Sequence, residues 1–259
     1  MSMNEATNHL SLAGQNILIT GASGGIGQAL VEKVSALGGH PVIHYSQNRS
    51  VAENLLSRLG GHGTLVKGDL GHPAGATKLW QEAISSCGRL SAVVNNAGVR
   101  STTRIEDDLS EWQRAWETDL RINLLAPADI SRAAVAHFRE HGGGRIINIA
   151  SRAAQRGYTE DHMPYGASKA ALVNLTKSIA RNFGKDGVVA IAIAPGFVRT
   201  EMAEEFIAER GLDAAVGDIP IGEMVEPSEL ADLIAFCLLG SQKSLSGATL
   251  DMNGASYLR

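Results

Sequence analysis

The β-rich run from Asn16 to Thr20 leads directly into Gly21-Ala22-Ser23-Gly24-Gly25-Ile26-Gly27. A stretch follows in which Ile26, Ala29, Leu30, Val34 and Leu37 recur at helical spacing. A strand, a turn of bare backbone and an amphipathic helix in that order leave few folds open. Glycines let a ligand approach the main chain, and the helix start offers unpaired N–H groups and a positive dipole end. In this place Gly-x-x-x-Gly-x-Gly reads as a cradle for the pyrophosphate of a dinucleotide. A glycine-rich turn with no ligand is the ordinary alternative.

The same alternation continues along the chain. Strand candidates are Asn16–Thr20, Pro41–Tyr45, Thr64–Lys67, Ala92–Asn95, Arg145–Ala150, Val188–Ala194 and Thr249–Met252, with amphipathic stretches between them. Strongly apolar strands separated by helices indicate a parallel sheet covered on both faces, an α/β doubly wound fold. Nothing resembles an internal linker or a repeat, so residues 11–259 read as one domain behind a flexible N-terminus over 1–10. Glycine is 29 of 259 residues, above the usual share of about 7%. The net charge of −4, without a basic tract, points away from nucleic acid. No apolar run approaches the roughly 20 residues of a membrane span, and no signal peptide is visible, so a cytoplasmic protein is expected. Cys87 and Cys237 lack metal-type spacing and read as reduced, mostly buried thiols; no metal site is expected.

A second constellation concerns proton transfer. Tyr165 and Lys169 lie one helical turn apart, in a helix expected to start at Pro164. A phenol holds its proton until about pH 10, and a neighbouring cation favours the phenolate. Lys169 is therefore expected to lower the pKa of Tyr165. Ser151 directly follows a strand, where residues of a parallel sheet face the ligand crevice. A long helix is expected over Ser110–Glu140, ending at Gly142-Gly143-Gly144. Taken singly, a Ser after a strand is usually a cap, and a Tyr/Lys pair is usually a helix edge.

Together these motifs resemble the classical short-chain dehydrogenases/reductases, in particular members like the 3-oxoacyl-[acyl-carrier-protein] reductases. The resemblance rests on Thr20-Gly21-x-x-x-Gly25-Ile26-Gly27, Asp69, Asn95-Asn96-Ala97-Gly98, Asn123, Ser151, Tyr165-x-x-x-Lys169 and Pro195-Gly196. It covers the chain from about Leu10 onward. It implies a seven-stranded parallel Rossmann-type sheet and a nicotinamide cofactor held by Gly21, Ser23, Gly24, Gly25, Ile26 and Gly27. Asp69 and Leu70 would meet the adenine. Asn95 and Gly98, with Asn96 and Ala97, would line the cofactor near its ribose. Pro195 and Gly196 would approach the nicotinamide, and Val198 and Thr200 would bond its carboxamide region.

In the same resemblance Tyr165 is the general acid/base, Ser151 holds the substrate oxygen, and Lys169 also holds the nicotinamide ribose. Asn123 anchors a water that links Lys169 to solvent. A carbonyl accepting hydride needs both a donor for its developing charge and an acid. The spacing of 14 residues from Ser151 to Tyr165 is one longer than the family's commonest, a difference the intervening loop absorbs.

The run His44-Tyr45-Ser46-Gln47-Asn48-Arg49-Ser50 carries no Asp or Glu to pair with the ribose hydroxyls of NAD. Ser46, Asn48 and Ser50 offer donors and Arg49 a cation, so NADP(H) is expected to be preferred, with NAD(H) also accepted. Arg49 pointing to solvent from a helix start is the alternative, and Gly24 stands where the family often has a basic residue.

Thr200–Ile221 corresponds to the family's variable substrate segment. Met202, Phe206, Ile207 and Leu212 suggest either a lid over a partly apolar pocket or an ordinary packing face. Val99, Arg100, Ala153, His162 and Phe197 are further pocket candidates; Arg100 or His162 could meet an anionic group, and a solvated loop residue is the ordinary alternative for either. The expected activity is reduction of a ketone, or the reverse alcohol oxidation. Alternatives are a 3-oxoacyl thioester reductase, an NAD-dependent sugar or alcohol dehydrogenase, a non-catalytic cofactor-binding regulator, and an isomerase or lyase. An acidic acyl carrier would need a basic patch, for which Arg132, Arg139, Arg145, Arg181 and Lys185 are candidates. In Asp251-Met252-Asn253-Gly254, Asn253 is expected in a left-handed turn position. The family's usual homotetramer is the expected assembly, with a dimer as the alternative.

Overall fold

The computed structural model describes residues 10–259, so the flexible segment expected over 1–10 falls, apart from Leu10, outside the described residues. Seven parallel strands form one sheet in the order β3-β2-β1-β4-β5-β6-β7. They are β1 Asn16–Ile19, β2 His40–Tyr45, β3 Thr64–Lys67, β4 Ala92–Asn95, β5 Gly144–Ile149, β6 Val188–Pro195 and β7 Thr249–Met252. Three match the expected bounds and the other four differ by a residue at one or both ends, where strands fray.

Alternation along the strands builds two cores. Ile17, Ile19, Ile43, Val94, Ile147 and Ile191 face one side, whereas Leu18, Val42, Val93, Ile146 and Ala190 face the other. On the first side lie α1 (Gly25–Ala36), α2 (Arg49–Arg58) and α10 (Pro227–Leu238), which contribute Leu30, Leu55 and Ile234. On the second lie α3 (Gly75–Cys87), α5 (Ala126–Glu140) and α7 (Met163–Phe183), with Leu79, Phe138 and Ile179. The sheet is covered on both faces, as a doubly wound fold requires.

The expected helix over Ser110–Glu140 is interrupted. It consists of α4 (Leu109–Leu120), a π turn at Arg121–Leu125 and α5. Within the turn the Ala126 N–H bonds the Arg121 carbonyl, the i→i−5 pattern that inserts one extra residue. The short α6 (Ala153–Arg156) follows β5, and α8 (Glu201–Arg210) and α9 (Leu212–Val216) form the variable segment. Cys237 is buried and Cys87 half-buried, and both are free. The left-handed positions after β7 are Gly254 and Ala255 (φ 59° and 63°), not Asn253. Asn253 fixes this turn through its side chain, donating to the Tyr257 carbonyl at 3.1 Å.

Candidate active site

Strand order reverses between β1 and β4, and the crevice beyond their C-terminal ends is where such sheets take ligands. Thr20 ties the two strand ends together, its hydroxyl accepting from the N–H groups of Asn96 (2.9 Å) and Ala97 (3.0 Å). Asn96 Nδ2 returns bonds to the carbonyls of Thr20 and Gly21. The loop is then packed backbone on backbone. A Cβ on Gly21 (φ 62°) would stand 2.8 Å from Ala97 Cα, and one on Gly27 would stand 2.4 Å from the Gly21 carbonyl oxygen.

The start of α1 carries no side-chain cap and no acidic residue in its first turn. It opens onto a cavity of about 490 Å³ lined by Gly21, Ser23, Gly24, Gly25, Ile26 and Gly27. Uncapped N–H groups facing such a space fit the pyrophosphate of a dinucleotide. Ser46, Asp69, Leu70, Asn96, Ala97, Gly98 and Thr200 line the same cavity, as expected.

Several expected cofactor contacts lie elsewhere. Tyr45 is buried in the core, and neither Asn48 nor Arg49 lines the cavity. Arg49 is exposed and bonds Glu53 one turn along α2 at 2.8 Å, because that carboxylate is its nearest partner on the helix surface. Asn95 is buried at the end of the central strand β4, donating to Asn148 Oδ1 of β5 at 2.8 Å, and its neighbour Asn96 faces the cavity instead.

His44 was not among the expected site residues, although a polar residue inside the apolar run of β2 is a visible signal. It is 2% exposed. Its Nδ1 stands 2.9 Å from the Gly21 N–H and its Nε2 3.1 Å from the Gly68 carbonyl. Only the neutral ring protonated at Nε2 satisfies both contacts. Burial lowers its pKa to about 4, with the Gly68 carbonyl opposing, so His44 clamps the glycine loop as an uncharged ring.

A second cavity, of about 150 Å³, holds Ser151, Tyr165 and Lys169 on its wall with Pro195, Gly196 and Val198. It shares Ile26, Asn96, Gly98, Thr200 and Met202 with the first, so the two form one continuous cleft. The Lys169 ammonium donates to the Ile149 carbonyl at 2.8 Å and lies 5.8 Å from the centre of the Tyr165 ring. A Cβ on Gly98 would meet both Lys169 Nζ (3.3 Å) and Asn123 Oδ1 (3.2 Å), so glycine there admits the two side chains together.

The electrostatics differ from expectation. Burial pushes the Tyr165 phenol up to about 12, against the pull of Ser151 and Arg100; Tyr158 and Asp119 reinforce the rise. Lys169 is itself pushed down to about 8 by burial, with Asp119 opposing. The phenol is raised rather than lowered, and the groups that pull it down are Ser151 and Arg100 rather than the expected Lys169.

Asn123 lines neither cavity. It is fully buried in the π turn, bonding both the N–H and the carbonyl of Val99 (2.9 Å each) and the Ser168 hydroxyl (3.1 Å). Asp119, one turn earlier, was also not anticipated; it is buried and accepts from the Ser101 N–H at 3.0 Å.

On the substrate side Arg100 and Phe197 line the smaller cavity and Val99 the larger one. Ala153 and His162 are buried and line neither, and His162 Nδ1 is bonded to the Ser101 carbonyl at 3.1 Å. Tyr158 and Arg152, not foreseen, complete the wall. Phe206 of α8 packs with Phe197, Ala215, Ile219 and Met224 in a small core of its own, while Met202 faces both cavities. This cap is tied down by Arg210 to Asp161 and by Arg152 (3.2 Å) and Arg156 (2.6 Å) to Asp218. Of the basic-patch candidates, Arg145 is buried and donates to the Cys237 carbonyl at 3.0 Å, and Arg139 pairs with Asp186 at 3.2 Å. Arg145 is withdrawn from any docking surface because its charge serves to hold the end of α10.

Residues 15–211 match the family model described as short chain dehydrogenase. The 3-oxoacyl-[acyl-carrier-protein] reductase of Vibrio cholerae is 30% identical over 250 residues, covering 96% of this chain and 100% of that one. Among solved structures, an angucycline C-6 ketoreductase with bound NADP superposes with a TM-score of 0.84 at 29% identity, covering 95% of this chain and 96% of that one. A 3-ketoacyl-(acyl-carrier-protein) reductase from Brucella melitensis, complexed with NADH, gives a TM-score of 0.84 at 25% identity, covering 96% of this chain and 100% of that one.

Proposed function

The chain belongs to the short-chain dehydrogenase family, and from that membership we propose that it is an NADPH-dependent carbonyl reductase in which Tyr165 is the general acid. The observation that carries this reading is the continuity of the cleft. Ser151, Tyr165 and Lys169 stand on the wall of a cavity that opens into the glycine-loop cavity, so hydride donor and proton donor reach one carbonyl. The bound nicotinamide supplies the hydride. Gly21 to Gly27 would hold the pyrophosphate, Asp69 and Leu70 would flank the adenine, and Asn96, Ala97 and Gly98 would flank the ribose. Pro195, Gly196, Val198 and Thr200 wall the nicotinamide end.

Ser151 orients the substrate oxygen and Tyr165 gives it a proton as negative charge develops. Lys169, fixed on the Ile149 carbonyl, holds a positive charge beside that oxygen. Asn123 acts as a positioning residue. Its bonds to Val99 and Ser168 hold the Gly98 loop against α7, on which Lys169 stands.

The NADP(H) preference is supported by the lack of any carboxylate between His44 and Ser50. Ser46 and Gln47 line that end of the cleft and carry its hydrogen-bond donors, since Arg49 lies outside it. NADH remains a permitted donor. The test is loss of NADPH absorbance across a panel of ketones and 3-oxoacyl thioesters, run in parallel with NADH. Equal catalytic efficiency with both cofactors overturns the preference, and conversion without net cofactor change points to an isomerase. Tyr165→Phe lowers kcat by about 10²–10⁴-fold while NADPH still binds.

Among the described residues no helix is long and apolar enough to cross a membrane. We also propose, as separate readings, a cytoplasmic location and a homotetrameric assembly. An apolar groove between α5 and α7, lined by Val135, Leu175, Ile179 and Phe183, supports self-association.

A further inference from the structure

The cavity around Ser151 and Tyr165 is walled by three cations, Arg100, Arg152 and Lys169, and by no Asp or Glu. Two of the three are committed. Lys169 donates to the Ile149 carbonyl. The Arg152 side chain is 3% exposed and paired with Asp218 at 3.2 Å. Arg100 is different. It is half-buried, its guanidinium lies 5.5 Å from the centre of the Phe206 ring, and its one hydrogen bond among the described residues is to the Tyr158 hydroxyl at 3.4 Å. No carboxylate among the described residues pairs with it.

A guanidinium keeps its proton at any working pH and presents a rigid fork of donors suited to a carboxylate. The phosphates of the cofactor do not account for it, because Arg100 lines only the smaller cavity and not the glycine-loop cavity. It lies instead near the reacting group: Tyr158, whose hydroxyl it bonds, has its ring centre 5.6 Å from that of Tyr165. Phe197, Met202 and Ala203 form the apolar side, with Phe206 packed behind Phe197 at 5.0 Å between ring centres. The space of about 150 Å³ suits a short molecule.

We propose that Arg100 binds the carboxylate of the substrate, so that the enzyme acts on short oxo acids in preference to neutral ketones or thioesters. This rests on the carbonyl-reductase reading and narrows it. A 3-oxoacyl thioester has no charge near its reacting carbonyl and would leave Arg100 unanswered.

The test is calorimetric titration of the full-length enzyme–NADP⁺ complex with pyruvate, acetoacetate and 4-oxopentanoate, each against its methyl ester. It is repeated with Arg100→Met and Arg100→Lys. At least one acid binds about tenfold or more tightly than its ester, as expected for a charge-assisted fork. Arg100→Met removes that preference and Arg100→Lys keeps part of it, with NADP⁺ affinity unaltered as the control for folding. Esters binding as well as acids, a preference that survives in Arg100→Met, or no binding by any of the acids overturns the proposal. The reductase reading is judged separately, by NADPH oxidation on neutral carbonyls and on the acids. An acid preference without any such oxidation sinks that reading and leaves the anion site standing.

Discussion

At Tyr165 two influences act on one proton. Withdrawal from water opposes the phenolate, Ser151 and Arg100 favour it, and the first prevails, leaving the phenol protonated to about pH 12. The free enzyme is thus always armed as an acid, and its pH limit falls on Lys169, whose ammonium is held to about 8 by burial. Above that pH the charge beside the developing oxyanion is lost, so kcat/KM for reduction declines as pH rises past about 8; a profile flat to pH 10 contradicts this. His44 sets a limit on stability at the acid side. Its folded pKa of about 4 lies below the unfolded value of 6.5, so between them the unfolded chain binds the extra proton. Stability from this residue is therefore present above pH 6.5 and lost as pH falls toward 4, by about 1.4 kcal/mol per unit. Urea unfolding at stepped pH reads the slope, and His44→Gln flattens it.

Among the elements, the glycine loop with α1 is the least tolerant. A Cβ at Gly27 would stand 2.4 Å from the Gly21 carbonyl oxygen and 2.6 Å from Ala22 Cα, both main-chain atoms that cannot rotate away. Gly24 faces only the Gly21 carbonyl at 3.6 Å, an ordinary contact. Gly27→Ala accordingly destabilises the fold by about 1–3 kcal/mol or more and abolishes cofactor binding, whereas Gly24→Ala folds normally. Thermal unfolding of the two variants, with and without NADPH, separates these outcomes. The π turn between α4 and α5 has a related logic. One extra residue rotates Asn123 inward toward Val99 and Ser168, and the helix resumes in register with the second core through Ala126 and Ile130.

For the whole molecule, the cleft is assembled by the crossover between β1 and β4 and closed by a cap with its own small core. Asp218 and Asp161 anchor that cap to the loop before α7 through Arg152, Arg156 and Arg210. The apolar groove on α5 and α7 lies away from the cleft. A tetramer built on that groove gives a light-scattering mass four times that of the chain, and Leu175→Glu lowers the mass while leaving the fold intact. A monomeric mass for the unaltered protein contradicts the assembly.

Ser151 joined the site through the family resemblance, whereas the seven strands, their parallel arrangement, the glycine loop and the Tyr165–Lys169 pair follow from local pattern: period-two apolar runs, glycine spacing, and residues one turn apart on a helix. Those signals are contained within a few neighbouring positions, and the chain states them directly. Local pattern misplaced Arg49 because it could not show that Glu53 holds it on the surface, and it missed His44, whose partners are the Gly21 N–H and the Gly68 carbonyl. It offered Arg100 as a pocket residue but missed Arg152, and it could not show that Asp218 answers the second and not the first. The sequence by itself determined the architecture and which residues were candidates for the site. The tertiary structure decided the charge state of each group and the cavity it faces, because burial and the nearest counter-charge depend on residues brought together only when the sheet and cap close.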